Sequence, residues 1–106
     1  SEVELALHVA EQVSSEFKVR VVSVPCWELF FEQGAEYQRK VLHFECWKRV
    51  SIEAGATLGW ERFVGKEGLM VGIDHFGASA PAGDLEREFG FTVDAVVRKI
   101  KEYFLV

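Results

Sequence analysis

The sequence predicts an α/β fold, a three-layer α/β/α domain around a small, mainly parallel sheet. Three apolar or β-branched runs, at residues 19–23 (VRVVS), 48–53 (KRVSIE) and 69–73 (LMVGI), read as strands. Segments with apolar residues at helical spacing lie before, between and after them. This alternation of helix and strand patterns points to a parallel sheet with helical crossovers.

The elements follow in chain order. Ser1-Glu-Val-Glu4 reads as a capping box, a serine N-cap with glutamate three residues on. Val3, Leu7, Ala10, Val13 and Phe17 then set a helical stripe, which predicts a first helix of about 15 residues buried along that face. Strand 19–23 follows and ends at Pro25, which has no N–H to give to a ladder. Residues 26–31 form a short apolar and aromatic turn of helix, Gly34 punctuates, and 35–42 forms a second short helix. Strand 48–53 comes next. Gly55 and Gly59 loosen the following turn, and 58–63 has helical spacing. Gly65 and Gly68 bracket a loop before strand 69–73, whose nearly continuous apolar character predicts a covered position. Pro81 opens a helix in which Leu85 and Phe89 sit four apart, and Gly90 ends it. Thr92 caps the last helix, whose buried stripe is Val93, Val96, Val97, Ile100 and Phe104. Asp94 and the later Arg98, Lys99 and Lys101 match the helix dipole.

Composition narrows the classes. A chain of 106 residues is one domain, and with 49% hydrophobic and 13% aromatic residues it can build a packed core. The formal net charge is −5 and the Lys and Arg residues are scattered, so no basic groove for nucleic acid is expected. No apolar run reaches the roughly 20 residues of a membrane span. No charged-then-apolar leader is present, and a cytoplasmic setting is expected. Cys26 and Cys46 read as free thiols in a half-buried or buried setting. They form no C-x-x-C, and His8, His43 and His75 stand apart from one another, so no zinc site is expected.

Candidate site residues gather where strands should end. Glu53-Ala-Gly-Ala-Thr-Leu-Gly-Trp60 and Asp74-His-Phe-Gly-Ala-Ser-Ala-Pro81 each follow a strand and carry glycine, a carboxylate and an aromatic. In open α/β sheets that edge builds sites. Glu53, Asp74 and His75 could line one crevice, and a histidine beside a carboxylate can move protons. The simpler reading of Asp74 and His75 is a loop-fixing hydrogen bond. Gly77-Ala-Ser79-Ala-Pro81 lacks the last glycine of a nucleophile elbow, so Ser79 reads as a cap for the helix that Pro81 opens. Gly55-x-x-x-Gly59 lacks both the second close glycine and the Gly-Lys-Ser/Thr of phosphate loops. Trp27, Trp47 and Trp60, with Phe30, Phe31, Phe44 and Phe63, exceed the ordinary needs of a small core. They read either as a dense core or as an interface patch, with residues 26–31 as its best candidate.

In order and spacing, several motifs together resemble the C-terminal domain of transketolases. They are Ser1-Glu-Val3, Val19-Arg-Val-Val-Ser-Val-Pro25, Trp27-Glu-Leu-Phe30, Ser51-Ile-Glu-Ala-Gly55, Gly59-Trp60, Gly72-Ile-Asp74, Phe76-Gly-Ala-Ser-Ala-Pro81 and Phe89-Gly-Phe-Thr-Val93. The resemblance covers essentially the whole chain. One departure is His43, where the family usually has proline. Another is the start, since family members carry a glycine-ended strand just before Ser-Glu-Val and an edge strand before that. The resemblance thus implies that residues 1–106 form such a domain lacking its first strands.

The resemblance also implies function. Transketolases move a two-carbon ketol unit from a ketose phosphate to an aldose phosphate, in the pentose phosphate pathway, with thiamine diphosphate and Mg2+. Cofactor and sugar-phosphate contacts lie in the two preceding domains, at a homodimer interface. No catalytic, cofactor-binding or metal residue is therefore expected in this chain, which by itself is expected to be inactive. The implied partners are the preceding domains and a second subunit. Glu53, Trp60, Asp74, His75 and Ser79 then mark a packing or regulatory edge. The alternative is a stand-alone small-ligand or regulatory module using that same edge.

Overall fold

The computed structural model describes residues 2–55, 57–72 and 91–105. Its elements in chain order are α1 (Glu2–Val13), α2 (Trp27–Glu32), α3 (Ala35–Leu42), β1 (Val50–Ile52), α4 (Glu61–Val64), β2 (Leu69–Val71) and α5 (Val93–Phe104).

Strands β1 and β2 pair in parallel, with Val50 opposite Leu69, Ser51 opposite Met70 and Ile52 opposite Val71. Parallel neighbours need a crossover, and α4 supplies it, packing against both strands. Side chains alternate along a strand, so Val50, Ile52, Leu69 and Val71 share one face. That face meets the main core of Val9, Val71, Phe91, Val96 and Ile100. Helices α1 and α5 pack on each other to complete it.

The expected stripe of α5 is the one found. Val96 and Ile100 are buried, and Val93, Val97 and Phe104 pack against the core. The Thr92 hydroxyl accepts the Ala95 N–H at 3.2 Å, which satisfies one of the helix's free N-terminal donors.

Helix α1 differs from expectation in its face. Its covered residues are Leu5, Val9 and Val13, continued by Phe17, whereas Val3 is 48% exposed and Leu7 53%. α5 approaches the Val9–Val13 side, and the stripe therefore follows a four-residue spacing. The expected cap residue Ser1 lies outside the described residues.

Residues 19–23, expected as a strand, belong to no sheet among the described residues. A strand needs a ladder partner, and residues 18–25 make no backbone hydrogen bond there. Val19 and Val21 accordingly stand 46% and 37% exposed. The other two strands are shorter than expected. Ile73, and the expected helix that Pro81 opens and Gly90 ends, lie outside the described residues. α4 begins at Glu61, later than position 58, because Gly59 sits at φ 92°, a conformation no right-handed helix contains.

Candidate functional site

Glu53 leaves the end of β1, and its N–H donates to the Val71 carbonyl at 3.0 Å, extending the parallel ladder one step. Beyond it the chain turns sharply. The Ala54 N–H donates to the Glu2 carboxylate at 3.2 Å, so the start of α1 is tied to this strand end. Two carboxyl groups thereby meet. Burial pushes the Glu53 carboxyl above the usual carboxylate range, and the charge of Glu2 adds to the push. Gly72 closes the other side of the turn. A β-carbon there would come within 2.7 Å of the Thr57 methyl and 2.8 Å of the Gly55 carbonyl, so only glycine lets β2 leave beneath the loop.

Trp60 has different neighbours. It precedes α4 and packs edge-on against Trp27, with ring centres 4.9 Å apart and planes at 86°. Phe63 touches both tryptophans, at 5.2 Å from Trp27 and 5.0 Å from Trp60. Phe30 and Phe31 extend the cluster, and Arg62 lies 4.0 Å over the Phe31 ring. Aromatic pairs favour such edge and tilted arrangements.

The aromatic excess therefore divides. Five rings form a second core that seats α2 on α4. Phe30 and Phe63 are buried within it. Others face outward, with Phe44 68% and Trp47 56% exposed, and the aliphatic Leu29 of α2 is 59% exposed. The 26–31 run is thus not a single interface face, because α2 turns Phe30 inward and Leu29 outward.

Arg49, not singled out in the sequence, fixes the entry to β1. Its Nε donates to the Cys46 carbonyl at 2.8 Å and its Nη1 to the Phe63 carbonyl at 2.9 Å. Its Nη2 donates to the His43 and Leu42 carbonyls at 3.1 and 3.3 Å. A five-donor planar guanidinium satisfies the end of α3, the following turn and the end of α4 together. Only the coincidence of these turns in space gives the arginine this task, so no sequence pattern marks it.

Of the expected edge residues, Glu53 and Trp60 are described, while Asp74, His75 and Ser79 lie outside the described residues. Glu53 faces α1 and Trp60 faces α2. Two open surface hollows lie elsewhere. One of about 410 Å³ lies between α1 and α5, lined by His8, Glu11, Gln12, Val93 and Asp94. The other, of about 330 Å³, runs past Phe44, Cys46, Trp47 and Arg49 to Lys66. Among the described residues no group of three or more His, Cys, Asp or Glu side chains could hold a metal ion. No described helix is long and apolar enough to cross a membrane. Cys26 is half-buried and Cys46 exposed, and both are free thiols.

The family model for the transketolase-like TK C-terminal domain matches residues 1–92. A chloroplastic transketolase of Solanum tuberosum is 54% identical over 103 residues, covering 96% of this chain and 14% of that protein. A chloroplastic transketolase of Zea mays is 49% identical over 104 residues, covering 97% of this chain and 15% of that protein. The solved structure of a transketolase from Leishmania mexicana superposes with a TM-score of 0.85 at 47% identity, covering 97% of this chain and 15% of that one. The chain thus spans about one seventh of the length of these relatives. The designation of both plant relatives as chloroplastic overturns the expected cytoplasmic setting. That expectation leaned on the lack of a leader, which a chain matching so small a share of its relatives cannot address.

Proposed function

This chain belongs to the transketolase family as a C-terminal domain, and from that premise we propose that it is a non-catalytic module supporting an enzyme that transfers two-carbon ketol units between sugar phosphates. One observation carries the reading. Nearly the whole chain aligns with about one seventh of each relative, in the part described as the C-terminal domain. Residues 1–106 then form a single domain of a larger enzyme. Thiamine diphosphate and Mg2+ would be held by other domains, where the cofactor supplies the carbanion chemistry. Where Glu2 and Glu53 meet, burial favours the protonated Glu53 carboxyl, which suits a divalent cation poorly. No step of the transfer is therefore assigned to them.

The roles left to this chain are structural. The Glu53 turn locks α1 to the sheet, and the aromatic core locks α2 to α4. Its outward-facing apolar residues favour contact with the enzyme's other domains and with a second subunit. The plant relatives support a plastid setting for the intact protein. In a coupled spectrophotometric assay, the intact protein should transfer a ketol unit from a ketose phosphate to an aldose phosphate only when thiamine diphosphate and Mg2+ are supplied. The 106-residue chain should give no turnover under the same conditions. An intact protein without transfer activity, or a turning-over isolated chain, would refute the reading.

A further inference from the structure

We draw no further inference here: the strongest candidate, the open hollow where the turn between α3 and β1 exposes Phe44 and Trp47 beside Lys66, is an unpartnered apolar face, and nothing in the structure shows what covers it.

Discussion

Gly59 stands at φ 92° with the Trp27 ring where a side chain would begin, since a β-carbon would lie 2.7 and 2.8 Å from two ring carbons. Gly59→Ala must therefore both strain the backbone and displace a tryptophan from the second core. It should lower stability by about 2–4 kcal/mol, read as a reduced midpoint in urea unfolding. Glu53 makes a prediction of opposite sign. Its carboxyl is pushed up in the folded state by burial and by Glu2, so the fold holds that proton more tightly than the unfolded chain does. The stabilising contribution is complete below the ordinary carboxyl range and is lost as pH rises through the raised value. Glu53→Gln should therefore gain stability relative to wild type as pH rises from about 4 to 7, in melts taken across that range. These two residues differ in legibility. Glycine before tryptophan after a strand could be singled out, but its partner Trp27, 32 positions earlier, could not. Glu53 stood out at a strand end, yet Glu2 became its neighbour only through the folding of α1 against the sheet.

Among the elements, α5 was the most readable, because its cap and stripe lie within one continuous segment. Local periodicity, cap chemistry and tertiary burial agree there, with Val96 fully buried and Ile100 7% exposed. Ile100→Ala should cost about 2–4 kcal/mol in denaturant unfolding, whereas truncating an exposed position such as Lys99 should leave the midpoint nearly unchanged. α1 was readable as a helix but not in its facing. The stripe of Val3, Leu7, Ala10, Val13 and Phe17 competes with a second apolar line through Leu5 and Val9, and packing against α5 covers Leu5 and Val9 while leaving Val3 and Leu7 exposed. Residues 19–23 have strand-like composition, yet strand formation depends on a neighbour, and composition does not supply one. In the described residues the parallel sheet is accordingly β1 and β2 alone.

At the scale of the whole molecule, the described residues form a small α/β unit with two cores. α1, α5 and one sheet face make the first, while α2 and α4 make the second around Trp27, Trp60 and Phe63. Of the expected edge, Glu53 meets Glu2 at the start of α1, and Trp60 packs on Trp27 of α2. Asp74, His75 and Ser79, which complete that edge in sequence, lie outside the described residues. The fold class and the family could be read from ordered motifs. That Glu53 meets α1 and Trp60 meets α2 depends on which helix each turn packs against, and no spacing rule encodes that. The central proposal is that this chain supports ketol transfer without performing it. Steady-state kinetics of the intact protein carrying Glu53→Gln and, separately, Trp60→Phe test it most directly. kcat and the half-saturating thiamine diphosphate concentration should both stay within about twofold of wild type. A fall in kcat of about 100-fold or more in a folded variant, the scale on which a lost proton-transfer group acts, would contradict it.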